Sequence, residues 1–193
     1  MNALRESVIP PFLCYRPWTR IYSLVRDGDS FVAFQKRVTE WCTCPEQQST
    51  LLVVKTTAGG TIGGYSDVPL INLSSSVVGG AGRSCLFKLL KTTTDDDDGH
   101  DPPSIVEVYG KNCTATSKKI VFDAYRRIIA FGGGEKSDRM SDDEGFGLSL
   151  EDGFTRGTTA RCAAFDNEPL VSDRGGVFDV VDVEVWGFVF GQL

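Results

Sequence analysis

One segment near the end of the sequence constrains the fold more than any other. Val177 to Phe190 is the longest strand candidate, and in its second half both faces of an extended strand are apolar. Val181, Val183, Val185 and Val189 share one face, while Trp186, Phe188 and Phe190 share the other. A strand that is apolar on both faces has to be covered on both, so this one is expected to run centrally between two packed layers. Glu184 interrupts it, and a carboxylate there needs either a buried partner or a role at the surface.

The rest of the chain supplies material for those layers. Its 193 residues suit one domain, large enough to bury a core without disulfides or metals. Glycine, at 21 residues, punctuates short apolar runs, the pattern of a β-rich domain. Trp18 to Val25 is one run, ended by Asp27 and Gly28. Leu51 to Val54 is continuous and reads as a strand buried on both faces; Gly59 and Gly60 turn it into Thr61 to Tyr65. Cys85 to Leu90, Ile105 to Tyr109, Ile128 to Phe131 and Phe146 to Leu150 are further strands. Asn72 to Arg83 reads as a Ser- and Gly-rich connection, and 91–104 and 135–144 as flexible acidic loops. One helix is expected, capped by Asp29 or Ser30, with Phe31, Phe34, Val38 and Trp41 on one stripe.

Charge and composition exclude several functions. Twenty Lys plus Arg against 26 Asp plus Glu leave a net charge of −6, which argues against nonspecific binding to nucleic acid or to an anionic membrane. No apolar run approaches the ~20 residues of a membrane span, so membrane insertion is not expected. Met1 to Pro10 lacks the apolar core of a secretory signal, which points to the cytosol and to reduced cysteines. The N-glycosylation patterns at Asn72 and Asn112 then read as chance matches.

Motifs that promise chemistry fail on inspection. Around Gly99 a calcium loop would put Thr94 and Ile105 at ligand positions, and around Gly145 it would put Met140 at the first, so no metal site is expected. Gly132 to Ser137 resembles a phosphate loop but places Glu135 directly before Lys136, and no helix follows. Cys42 and Cys44 are too close for a zinc knuckle and are flanked by Glu40 and Glu46. The single histidine, His100, sits in an Asp- and Pro-rich stretch unsuited to holding a catalytic imidazole. No catalytic residue is assigned.

Taken in order, the runs resemble the TLDc domain, the module of the oxidation-resistance proteins. Pro17, Trp18, Ile21, Tyr22 and Ser23, with Asp27, Gly28, Ser30 and Phe31, are similar to its opening strand, turn and helix. Leu52 to Lys55, with Gly60 and Ile62 to Tyr65, resemble its hairpin, and Gly80, Gly82, Leu86 and Phe87 its next strand. Phe131 to Gly134 resembles its glycine run, followed by Leu148, Leu150, Gly157, Cys162, Phe165, Asn167 and Leu170. Val183 to Trp186 and Phe188 resemble its closing strand. The resemblance covers Pro17 to Phe190, so residues 1–16 read as a lead-in and 17–193 as the domain.

The resemblance implies a mainly β (α+β) fold: a two-layer antiparallel β-sandwich flanked by short helices. It also implies oxidative-stress resistance, regulation of the assembly of the vacuolar proton-pumping ATPase as binding partner, and no cofactor. The expected reading is a noncatalytic interaction module, monomeric and cytoplasmic, at the periphery of vacuolar or endosomal membranes or at mitochondria. Gly64, Gly132, Gly133 and Gly134 are the candidates for shaping the partner surface, because a side chain there would add a Cβ and restrict φ; Glu184 is a further candidate. The alternative is a thiol-based antioxidant, for which Cys162, beside Arg161, is the candidate.

Overall fold

The computed structural model describes residues 2–43, 48–70, 77–79, 82–91, 104–110, 119–132 and 145–190. In chain order the helices are α1 (Asn2–Ser7), α2 (Pro11–Cys14), α3 (Leu24–Asp27) and α4 (Phe31–Cys42). The strands are β1 (Trp18–Ser23), β2 (Thr50–Thr56), β3 (Thr61–Ser66), β4 (Val77–Gly79), β5 (Cys85–Lys91) and β6 (Ser104–Tyr109). After these come β7 (Lys119–Asp123), β8 (Ile128–Gly132), β9 (Phe146–Leu150), β10 (Arg156–Thr158) and β11 (Val177–Phe188).

All described strand pairs are antiparallel, and β11 belongs to two sheets. Its first residues pair with β10 in a sheet ordered β4-β7-β8-β9-β10-β11. Its later residues pair with β1 and β2 in a sheet ordered β1-β11-β2-β3-β5-β6. The expected central strand is therefore the seam of a mainly β, two-layer sandwich. A register shift between Val180 and Asp182 marks the crossing, and a bulge of this kind twists a strand so that it can leave one sheet for another. It also moves Val181 off the apolar face on which the alternation placed it; Val181 is 55% exposed.

The period-2 rule then sorts the layers. Leu52, Val54, Ile62, Leu86, Val183 and Val185 point into the sandwich, where Ile120, Phe122, Ile129, Phe131, Leu148 and Leu150 meet them. The alternate residues Leu51, Val53, Tyr65, Phe87 and Phe188 point outward into a second cluster, closed by Leu4, Val8, Ile9 and Leu13 of the α1–α2 segment. This explains why β2 reads as an unbroken apolar run. The stretch expected as a lead-in is a helical cover on the outer face of one sheet.

Helix α4 starts at the expected residue, with the Ser30 hydroxyl accepting from the Ala33 N–H at 3.4 Å. It buries Phe31, Phe34, Val38 and Cys42, while Trp41 is half-buried. Four expectations need correction. The apolar run Trp18 to Val25 is strand only as far as Ser23, because the Asp27 carboxylate accepts from the Ser23 N–H at 2.9 Å and turns the chain into α3. The Asn72 to Arg83 connection contains β4, which pairs with β7, a strand the sequence reading did not place. The acidic loop expected over 91–104 is shorter, because Lys91 and Ser104 pair as the last rung of β5 and β6. The closing strand stops at Phe188, two residues early. The acidic stretch 135–144 and His100 lie outside the described residues. Among the described residues no helix is long and apolar enough to cross a membrane.

Candidate functional site

Glu184 sits on the outer face of the seam strand, beyond the cover of the N-terminal helices. β11 lies between β1 and β2, and the pairing brings Arg20 and Lys55 to either side of it. Glu184 Oε1 is 3.1 Å from Arg20 Nη1 and 3.7 Å from Lys55 Nζ, and Oε2 accepts from the Trp186 indole N–H at 3.1 Å. Lys55 also reaches Asp182 Oδ2 at 3.4 Å. The Arg20 guanidinium lies 5.8 Å from the centre of the Trp186 ring, close enough for a cation–π contact. Glu184, itself buried, thus has the charged and hydrogen-bonding partners that a carboxylate in an apolar stretch requires. Sequence reading missed the other three charges of this ladder. The one legible signal was the recurrence of Asp182 and Glu184 two residues apart among valines, which puts both on one strand face.

Exposure is uneven across the ladder. The side chains of Asp182 and Glu184 are 9% and 11% exposed, those of Lys55 and Arg20 49% and 40%. The carboxylates lie inside and the cations face outward. The same arrangement recurs at the neighbouring corner, where Asp27 is covered by Arg26 and approached by Arg37 at 3.9 Å. Arg26 donates from Nε and Nη2 to Asp27, and from Nη1 and Nη2 to the carbonyls of Arg20 and Ile21. It thereby covers part of the free edge of β1, a standard protection against unwanted strand pairing.

The Arg26 hydrogen bonds hold the Asp27 carboxyl below its usual range, aided by the Ser23 N–H and the charges of Arg26 and Arg37, while burial opposes the shift. A lowered value contributes stability that is present above the ordinary carboxylate range and is lost as pH falls through the lowered value. Asp27→Asn should cost about 1–3 kcal/mol at neutral pH, the scale of hydrogen bonds to a charged group. In urea unfolding, the gap between the two proteins should close as the pH is lowered below the ordinary carboxylate range.

The candidate glycines have packing duties. Gly64 is buried on β3, and a Cβ there would fall 2.6 Å from the Phe131 ring across the sandwich. Gly132 ends β8 with φ +90°, a left-handed conformation, and a Cβ on it would collide with Cys162 Sγ. Gly133 and Gly134 lie outside the described residues. Gly64 and Glu184 lie on opposite faces of their sheet, so the structure does not join them in one site.

Cys162 is 3% exposed, packed in the sandwich core and bridged through its backbone to Asn167. The adjacent Arg161 side chain faces solvent and pairs with Glu168 at 3.5 Å. Cys42 is also buried, and burial pushes its thiol up to about 11. Cys14 is half-buried, with its Sγ directed at the carbonyls of Arg5, Ile9 and Pro10. Cys44 and Cys113 lie outside the described residues.

A glycine-laced antiparallel sandwich, sealed by short helices and joined by one strand shared between its sheets, defines a β-sandwich module whose distinctive polar residues are paired charges on an outer face. The sequence profile of the TLDc domain matches residues 4–189, and the chain belongs to that family. It is similar to the Oxidation resistance protein 1 of Yarrowia lipolytica, 28% identical over 185 residues that cover 96% of this chain and 69% of that protein. The Kluyveromyces lactis protein of the same name is 25% identical over 186 residues, covering 95% and 71%. The one from Cryptococcus neoformans var. neoformans is 26% identical over 176 residues, covering 88% of this chain and 33% of its own length. The chain thus spans a third of that fungal relative and about seven-tenths of the yeast ones.

Proposed function

We propose that this chain is a noncatalytic TLDc interaction module that contributes to oxidative-stress resistance by binding the vacuolar proton-pumping ATPase and regulating its assembly. The observation that carries the reading is the family match across residues 4–189, together with relatives named for oxidation resistance. Burial of Cys162 and Cys42 favours it over the thiol-based alternative, because a reactive cysteine needs access and a stabilised thiolate. The module works in the cytoplasm, at membranes that carry the pump, and docks through the shaped ends of the sandwich. A stretch of like charge is a poorer docking element, since it must be ordered before it contributes.

Capture from a cell lysate by the tagged chain, with peroxide consumption measured in parallel, tests this. Pump subunits should be recovered, and recovery should survive replacement of residues 92–103 by a short Gly-Ser turn. Steady-state peroxide consumption that Cys162→Ser abolishes would overturn the reading in favour of the thiol alternative.

A further inference from the structure

Between β1 and α4 the surface opens into a groove of about 730 Å³. Thr19, Arg20 and Ile21 form one wall, Arg37, Glu40 and Trp41 the other, and Arg26 with Asp27 closes an end. We propose that this groove docks an acidic peptide segment of a partner protein, with Arg20 and Arg37 gripping its carboxylates.

The donor inventory separates the three arginines. A guanidinium carries five N–H donors. Arg26 directs all three of its nitrogens inward, to Asp27 and to the carbonyls of Arg20 and Ile21. It is a positioning group and holds the groove's end in place. Arg37 touches Asp27 only at 3.9 Å, beyond hydrogen-bond length, with its side chain 56% exposed. Arg20 uses Nη1 on Glu184, and at 40% exposure its remaining donors have no hydrogen-bond partner among the described residues. Two arginines that line one groove therefore keep donors unspent among the described residues, and each can take a carboxylate in a bidentate fork.

The electrostatics favour the same occupant. Asp27 and Glu184 lie beneath these cations with 8% and 11% of their side chains exposed, so a ligand meets the positive ends of the pairs first. Glu40 is the exposed acid on the rim and has Lys36 at 4.0 Å. The chain as a whole carries −6, which repels an extended polyanion or an anionic bilayer at long range. A short segment with a few carboxylates feels mainly the local field, because charges beyond a Debye length of about 8–10 Å are screened. Docking through side chains is also the mode that β1 leaves open, since Arg26 already occupies its outward carbonyls at Arg20 and Ile21. The half-buried Trp41 supplies apolar surface for the residues between the carboxylates.

The inference rests on reading the domain as an interaction module. Its probe is a fluorescein-labelled hexapeptide alternating glutamate and leucine, beside its glutamine counterpart. Anisotropy with the intact chain should show saturable binding of the glutamate peptide alone, weakening as salt is raised. Arg37→Gln and Arg20→Gln should each weaken it about threefold, and the pair roughly tenfold, the scale of partly exposed ion pairs. Amide shifts on titration should centre on Thr19 to Ile21 and Arg37 to Trp41. Thermal unfolding guards the reading of Arg20→Gln, and Arg37→Glu provides a variant with no side-chain hydrogen bond to lose among the described residues. Equal binding of the glutamine peptide, indifference to both arginines, or shifts centred elsewhere would overturn the proposal. So would Arg37-dependent binding to phosphatidylserine vesicles without peptide binding. Pump capture by the wild-type chain is scored separately: its failure with peptide binding intact overturns the proposed function alone, and the converse overturns the groove alone.

Discussion

Removing residues 2–16 is expected to yield a chain that unfolds or aggregates, not a smaller folded domain. Leu4, Val8, Ile9 and Leu13 are each 3% exposed or less and close the cluster on the outer face of the β2–β3–β5 sheet. At about 1.5–3 kcal/mol for each buried aliphatic side chain, their loss is comparable with the ~5–15 kcal/mol that holds a typical domain together. The damage on the other side of the contact is equally large. Leu51, Val53, Tyr65, Phe87 and Phe188 would become one apolar sheet face open to water, the kind of patch that drives association. Arg5 adds a tie to the sheet, its guanidinium lying 4.8 Å from the centre of the Trp18 ring. The match to the family begins at residue 4, as it should if this cover belongs to the fold. Size-exclusion chromatography with light scattering, and thermal unfolding of whatever remains soluble, would check this. A monomer melting within a few degrees of the full chain would show that the cover is dispensable.

What could be read in advance followed from local rules. Helix α4 announces itself through the Ser30 cap and the spacing of Phe31, Phe34 and Val38, all settled within about two turns of one helix. The β2–β3 hairpin needs only two apolar runs and the glycines between them. β7 escaped because Ile120, Val121 and Phe122 make too short a run between Lys119 and Asp123 to stand out. The N-terminal helices escaped because Pro10 and Pro11 break their periodicity, and their stability comes from the sheet beneath them. Glu184 was visible as an anomaly, but its partners were not. Arg20 lies 164 residues away in sequence, and Lys55 lies 127 residues from Asp182. Only the register of three strands puts them together. The bulge at Val180 and Asp182 shows the same limit, since a single inserted residue reverses which face a side chain occupies. Gly64 illustrates a different one. Its lack of a side chain was noticed, yet the Phe131 ring that needs the space arrives from the other sheet.

Phe34→Ala should cost about 3–5 kcal/mol, the usual range for deleting a fully buried aromatic ring. Phe34 has no exposed surface and stands at the junction of helix and sandwich. Its ring centre lies 4.9 Å from that of Tyr22 on β1, 5.1 Å from Phe154 and 6.2 Å from Phe122 on β7. Deleting it opens a cavity walled by rings that are themselves held elsewhere. Phe31 stacks on both Phe122 and Phe154, and the Tyr22 hydroxyl donates to the Gly28 carbonyl at 2.5 Å. Neighbours so constrained cannot collapse into the void, which places the site toward the upper part of the range. Val32, two residues earlier on the same helix, is 65% exposed, and Val32→Ala should change stability by no more than about 0.5 kcal/mol. The contrast isolates packing from helix propensity, since both substitutions introduce the same residue into the same helix. Chemical denaturation of the two variants measures it directly, and comparable losses from both would mean that α4 does not dock through its aromatic stripe. The groove gives a second readout, because Arg37 and Trp41 are carried on the helix that Phe34 anchors. Acidic-peptide binding should therefore weaken in Phe34→Ala even below its melting temperature, while Val32→Ala should bind as the unmodified chain does.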